Sequence, residues 1–157
     1  MQHTQKIAPC LWFDNQAEEA ARFYVSIFRN SRLVSVSHYG KAGYEVHRKP
    51  AGTVMTVAFE LDGQPLTALN GGPEFKFNEA VSFFVECKDQ AEVDMFWDKL
   101  TADGGAPSQC GWLKDKFGLS WQIVPDALIE LTTGKDAARA QRVFAAMMKM
   151  VKIDIPT

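Results

Sequence analysis

Apolar and polar positions alternate along the chain in a way that spells out the same order of elements twice. Ile7 to Phe13 is a short apolar run of strand formers, followed by Asp14-Asn15-Gln16, a polar cluster suited to turning and capping. From Ala17 the period changes. Ala20, Phe23, Tyr24, Ile27 and Phe28 recur at helical spacing, with Glu18, Glu19 and Arg22 on the other side and Asn30-Ser31 as the stop. Two strands are expected next, Leu33 to Tyr39 and Val54 to Leu61. The second alternates Met55, Val57, Phe59 and Leu61 against Thr56, Ala58 and Glu60. Between them, Gly40 to Gly52 reads as a loop able to cover something. Asp62-Gly63 signals a hairpin, Pro65 to Leu69 its returning strand, and Asn70-Gly71-Gly72-Pro73 closes the half.

The order then repeats. Ala80 to Cys87 is strand-like, Lys88-Asp89-Gln90 is polar, and Val93, Phe96, Trp97 and Leu100 mark a second helix that ends at Gly104-Gly105-Ala106-Pro107. Gln109 to Leu113 and Leu119 to Val124 are short strands around a turn at Lys114 to Gly118. Two modules are therefore expected, 7–73 and 80–125, within one domain spanning 1–157. Asp136 to Met150 adds a terminal amphipathic helix carrying Val143, Phe144, Met147, Met148 and Met150, packed on the body or on a second subunit.

Composition narrows the partners. Seventeen Lys and Arg against nineteen Asp and Glu give a net charge of −2, without the cationic stripe that phosphate neutralisation needs, so nucleic acid is not expected as a partner. The longest aromatic-aliphatic stretches, Cys10 to Phe13 and Ser82 to Val85, are far too short to span a bilayer, and residues 1–6 lack the layout of a signal peptide. Three cysteines without a CxxC pair suit free thiols in a reducing compartment. A soluble cytoplasmic protein without a membrane partner is the expectation.

Familiar chemical motifs are missing. There is no phosphate-cradling G-x-x-x-x-G-K-[ST], no dinucleotide G-x-G-x-x-G, no H-E-x-x-H and no G-x-S-x-G. The histidines His3, His38 and His47 are scattered and converge on no zinc site. His38 could alternate onto a pocket face, although a plain strand histidine is the commoner case. Cys110 has Lys114 and Lys116 nearby but no histidine to lower its pKa, so an inert thiol is the better reading. Of the four tryptophans, Trp12 and Trp97 are explained by their strand and helix, which leaves Trp112 and Trp121 as candidate pocket walls.

Several stretches carry a resemblance. Phe13-Asp14-Asn15-Gln16-Ala17-Glu18-Glu19-Ala20-Ala21-Arg22-Phe23-Tyr24 resembles the opening of the PhnB-like branch of the vicinal oxygen chelate superfamily, which also holds glyoxalase I, bleomycin-resistance proteins and extradiol dioxygenases. Phe59 to Gln64, Ala68 to Pro73, Cys110 to Asp115 and Gly118 to Pro125 are similar to the same branch, in order, over roughly residues 7 to 125, and Met147 to Ile155 resembles its tail. The name often attached to the branch is demethylubiquinone methyltransferase-like. The resemblance implies an α+β fold of paired βαβββ modules, whose curved mixed sheets surround a concave pocket, usually in a homodimer. In metal-dependent relatives the ligands come from the first and last strands of each module, and the matching positions here are Pro9, Thr67, Ser82 and Gln122. Proline offers no donor, hydroxyls are weak ligands, and a neutral amide brings no charge to offset a cation's desolvation. No metal and no cofactor are therefore expected, and a methyl donor would lack a glycine-rich cradle.

Two functional readings follow. One is a metal-free pocket that binds a small polar-aromatic molecule, with Thr67, Ser82 and Gln122 as polar contacts and Trp112 and Trp121 as aromatic walls. Against it stands the possibility that these polar residues satisfy one another in a closed core. The alternative is an enzyme of isomerase, lyase or dioxygenase type acting on a small oxygenated metabolite. That needs an acid-base group, for which Glu60 is the nearest carboxylate, although it also reads as a solvated strand-end charge. A carboxylate, histidine or metal in the pocket would favour the enzyme; neutral polar and aromatic groups alone would favour binding.

Overall fold

The computed structural model describes residues 5–155, so His3 lies outside the described residues. The chain divides into two compact units between Lys76 and Phe77. In the first unit the elements are β1 (Cys10–Phe13), α1 (Ala17–Ile27), β2 (Arg32–His38), α2 (Tyr44–His47), β3 (Val54–Leu61) and β4 (Gln64–Asn70). They form a four-stranded sheet in the order β1-β4-β3-β2, with β1 parallel to β4 and the other pairs antiparallel. The second unit holds β5 (Ser82–Cys87), α3 (Gln90–Thr101), β6 (Ala106–Pro107), β7 (Trp112–Lys114) and β8 (Ser120–Pro125), followed by α4 (Asp126–Thr133) and α5 (Ala137–Met147). Its sheet runs β5-β8-β7-β6 with the same parallel-then-antiparallel pattern. This is the doubled strand–helix–strands order that the periodicity predicts, as two mixed sheets in an α+β fold.

In the first unit, α1 buries Ala17, Ala20, Ala21, Tyr24 and Ile27, and the alternating residues Val57, Phe59 and Leu61 of β3 are buried with them. Small residues on the helix face allow close approach, and Tyr24 stacks on Phe59 at 6.4 Å between ring centroids. The expected capping cluster behaves differently. Gln16 is the cap residue of α1 but makes no side-chain cap bond. The Ala17 N–H instead donates to Oδ1 of buried Asn70 at 2.8 Å, while Asn70 Nδ2 donates to the Val54 carbonyl at 3.1 Å. A strand residue 53 positions away therefore supplies the cap. The backbone at Gly71 passes so close to Trp12 that a Cβ there would fall inside the indole.

In the second unit, Asp89 caps α3 locally by accepting the Glu92 N–H at 2.9 Å, and Glu92 reaches back to the Lys88 N–H at 2.8 Å. Val93, Phe96, Trp97 and Leu100 are buried, the four positions expected of that helix. Gln109–Gly111 is not strand but turn, with Cys110 and Gly111 at φ 59 and 84, which shortens the expected Gln109 to Leu113 strand to Trp112–Lys114. The expected loop at residues 40–52 contains the short helix α2, and the terminal region holds two helices where one was expected. The first of them, α4, has too brief an apolar stripe to stand out before Gly134.

Candidate functional site

Register places three side chains in one row across the second sheet. Phe84 of β5 and Trp112 of β7 both pair with Gln122 of β8, so all three project from the same face. Val85, Leu113, Trp121 and Ile123 point to the opposite face with α3, where Leu113, Trp121 and Ile123 are almost fully buried. The row Phe84–Gln122–Trp112 forms part of the lining of a half-open cavity of about 800 Å³. Its walls come from Val124 and from the two terminal helices through Leu128, Ile129, Thr132, Phe144, Met147 and Met148.

Those helices are held in place by the chain that follows them. The Met150 and Val151 carbonyls accept the Cys110 and Gly111 N–H groups, each at 2.8 Å, and Ile153 is buried. Gln90 on α3 donates to the Ile153 carbonyl at 3.0 Å and accepts the Ile155 N–H at 2.8 Å. Lys152 pairs with Asp94 at 2.8 Å; this ion pair lowers the Asp94 pKa and raises that of Lys152. Gly111 is needed at this crossing: its φ is positive, and a Cβ would meet the Ile123 carbonyl and Ile153.

Inside the cavity, Gln122 Nε2 donates to Ser82 Oγ at 3.0 Å. Gln122 Oε1 and Trp112 Nε1 have no hydrogen-bond partner among the described residues. Glu79 is the only charged residue in the lining. It is exposed and ion-paired with Lys114, whose hydrogen bond holds its carboxyl below the usual range. Cys110 also lines the cavity, with its thiol 3.6 Å from Met148 Sδ. Away from the cavity, burial pushes the Cys87 thiol up to about 12 and raises Cys10 as well.

The residues nominated from sequence are distributed as follows. Ser82, Gln122 and Trp112 come together, and Gln122 and Trp112 line the cavity. Trp121 does not line it. It lies on the α3 side, 2 % exposed, where its Nε1 donates to buried Asp115 at 2.9 Å, so its indole belongs to the core and not to a pocket wall. Thr67 belongs to the first unit, in register with Cys10 and Ala58, and its N–H donates to the Pro9 carbonyl at 3.0 Å. Glu60 is held by Arg32 at 3.0 Å, and His38 is exposed at the end of edge strand β2. Sequence reasoning missed Phe84, Glu79 and the α4 wall. Phe84 could have been found from strict alternation in β5, which puts it on the same face as Ser82.

A family model described as 3-demethylubiquinone-9 3-methyltransferase matches residues 5–124. A solved structure described as a putative 3-demethylubiquinone-9 3-methyltransferase, PhnB protein, from Bacillus cereus is 35% identical, with a TM-score of 0.68, covering 77% of this chain and 99% of that one. The chain belongs to this PhnB-like family. Protein PA1353 from Pseudomonas aeruginosa has the same fold at 19% identity, with a TM-score of 0.60 over 78% of this chain and all of that one. A glyoxylase/bleomycin resistance protein/dioxygenase domain from Frankia sp. EAN1pec is matched at 14% identity and a TM-score of 0.47, over 90% of this chain and 99% of that one. No curated protein matches the chain.

Neither group that the family and superfamily names suggest fits the residues present. The positions that the sequence resemblance matches to metal ligands are Pro9, Thr67, Ser82 and Gln122, none of them anionic or an imidazole, and Ser82 and Gln122 are bonded to each other. The described residues contain no group of three His, Cys, Asp or Glu able to hold a metal. A methyl donor's cradle would be sought at a strand-to-helix joint. In this PhnB-like chain the joints leading into α1, α3 and α4, at Asp14-Asn15-Gln16, Lys88-Asp89 and Pro125-Asp126, hold no glycine; Gly40 and Gly43 precede only α2, a single turn of four residues.

Proposed function

We propose that this PhnB-like protein is a small-molecule-binding protein whose metal-free site is the cavity of the second module. The observation that carries the reading is the Phe84–Gln122–Trp112 row: two aromatic surfaces flanking an amide at the base of a largely apolar cavity of drug-like size. Aromatic faces supply area at low entropic cost, and the amide orients what they hold. We further propose that the two modules belong to a single domain and that the protein is a cytoplasmic homodimer. The half-exposed Phe144 and Met148 support the dimer, since a second copy would cover them. No helix of the described residues is long and apolar enough to cross a membrane.

The enzyme alternative, an isomerase, lyase or dioxygenase, has one carboxylate at the cavity to draw on. Glu79 is solvent-exposed and kept ionised by Lys114, which suits it poorly to donating a proton.

A thermal-shift screen with small metabolites tests the binding reading. A ligand at 100 times its Kd adds about 2.7 kcal/mol, which in a domain of this size raises Tm by roughly 5–10 °C. Val124→Trp, which puts an indole into the cavity on the same face as Gln122, should abolish that rise while leaving the protein folded. A hit whose shift persists in Val124→Trp would place binding elsewhere and sink the assignment of this cavity.

A further inference from the structure

The cavity base carries more information than its shape. Within the row two polar groups have no partner among the described residues, and they are of opposite kinds: Gln122 Oε1 is an acceptor, and the Trp112 indole N–H is a donor; elsewhere in the lining only the exposed side chains of Ser108 and Gln109 share that state. The two groups of the row belong to cross-strand partners in register, whose Cβ atoms are separated by about 4.5–5.5 Å in such pairs. Phe84 flanks Gln122 on the other side, so the polar pair sits between two aromatic side chains. Charge adds a second constraint. Glu79, the one charged residue of the lining, is neutralised by Lys114, and that ammonium is in turn committed to Glu79.

We infer that the cavity selects neutral hydroxyarenes: flat aromatic molecules bearing an uncharged hydroxyl that donates to Gln122 Oε1 and accepts from Trp112 Nε1–H. This inference rests on the binding reading above and names the ligand class for the same cavity. The chemistry excludes the neighbouring classes. A carboxylate or phosphonate offers only acceptors, would leave Gln122 Oε1 facing an anion, and finds no free cation to offset its desolvation. An ammonium offers only donors and leaves the indole N–H unpaired. An ether cannot donate to Gln122. An aliphatic alcohol satisfies both polar groups but loses the stacking on Phe84 and Trp112.

A matched set of probes tests this by calorimetric titration of the full chain near pH 7: 2-naphthol, 2-methoxynaphthalene, 2-naphthoate, 2-naphthylmethylamine and decahydro-2-naphthol. The expected result is that 2-naphthol binds most tightly. Its methyl ether should be weaker by about tenfold, the effect of one unmade hydrogen bond. The anion, the cation and the saturated alcohol should each be weaker by at least a similar factor. Gln122→Leu should bring the naphthol-to-ether ratio close to one without weakening the ether, and Trp112→Leu should weaken every aromatic probe. Circular dichroism would confirm that both variants are folded.

If 2-naphthoate, the amine or decahydro-2-naphthol matches 2-naphthol, the ligand class is overturned while the binding reading stands. If none of the probes binds but the metabolite screen yields hits lost in Val124→Trp, the class again falls and the site survives. If neither set binds, both fall together. Should light scattering show a dimer that Phe144→Glu dissociates, with 2-naphthol binding only the dissociated form, the cavity is a protein interface and the inference fails.

Discussion

The two modules are built to one topology and differ in what they place at the same point of it. Thr67 of β4 and Gln122 of β8 occupy corresponding strands, each parallel to the first strand of its module. Around Thr67 the row across the sheet is Cys10–Thr67–Ala58, three small side chains. Around Gln122 it is Phe84–Gln122–Trp112, two aromatics and a long amide. Tryptophan use diverges in the same way. Trp12 ties its indole N–H to the Gly72 carbonyl at 2.8 Å and packs edge-on against Phe75, whereas the indole N–H of Trp112 has no partner among the described residues. Repetition of a sheet therefore repeats a scaffold. The chemistry depends on which side chains the register brings side by side.

Turns should give the largest contrast. In the β7–β8 turn, buried Asp115 accepts the Phe117 and Leu119 N–H groups and the Trp121 indole. Asp115→Ala removes the acceptor of all three bonds, two of them buried, and should cost about 3–5 kcal/mol in urea unfolding. Its counterpart in the β3–β4 turn, exposed Asp62, sits at φ 47, and Asp62→Gly should stay within about 0.5 kcal/mol. Equal costs would mean that the turns are not differentiated as described.

The helix caps come next. Asn70→Ala removes both the α1 cap and the bond to Val54, and should cost about 2–3 kcal/mol because the site is buried. Asp89→Ala removes a local, exposed cap and should cost about 1 kcal/mol. A smaller loss at Asn70 than at Asp89 would reverse the comparison.

Replacing each tryptophan by phenylalanine sharpens the contrast between the rows. Trp12→Phe should cost about 1 kcal/mol through the lost bond to Gly72, while Trp112→Phe should change stability by less than about 0.5 kcal/mol. The Trp112 variant should instead lose affinity for 2-naphthol, so each substitution has a readout the other does not move.

The smallest effect is electrostatic. The Asp94 pKa is lowered chiefly by its hydrogen bond to Lys152, so the folded state holds the proton less tightly than the unfolded one. Its contribution is then fully present above its ordinary value of 3.8 and is lost as pH falls through the lowered one. Melting curves of the wild type and Asp94→Asn between pH 2 and 6 should differ slightly at the upper end and converge at the lower. A gap that widens on acidification would show that the tail is not tethered this way.

Much of this fold can be read from period alone. Alternation in Val54 to Leu61 assigned the inward face of β3, and the stripe Val93, Phe96, Trp97, Leu100 assigned the buried face of α3, because periods of two and 3.6 are properties of the chain itself. Site residues were harder. Gln122 and Ser82 were nominated through resemblance to a family, and Trp112 through elimination. Trp121 was nominated on the same grounds as Trp112 and lies on the opposite face, since positions nine apart on two strands say nothing of orientation until the turn between them is placed. Phe84 drew no notice in a run of apolar residues where every member looked like core.

The doubled strand–helix–strands order, the alternating face of β3 and the buried stripe of α3 were determined by the sequence itself; for α1 the pattern picked out Ala20, Tyr24 and Ile27 but also Phe23 and Phe28, which stay half-buried. The first three follow from residue type and spacing along the chain. The remote cap at Asn70, the core role of Trp121, helix α4 as a cavity wall and the Phe84–Gln122–Trp112 row were decided only by tertiary structure. Each joins segments whose meeting depends on strand register and on how the tail is anchored, quantities that no local pattern encodes.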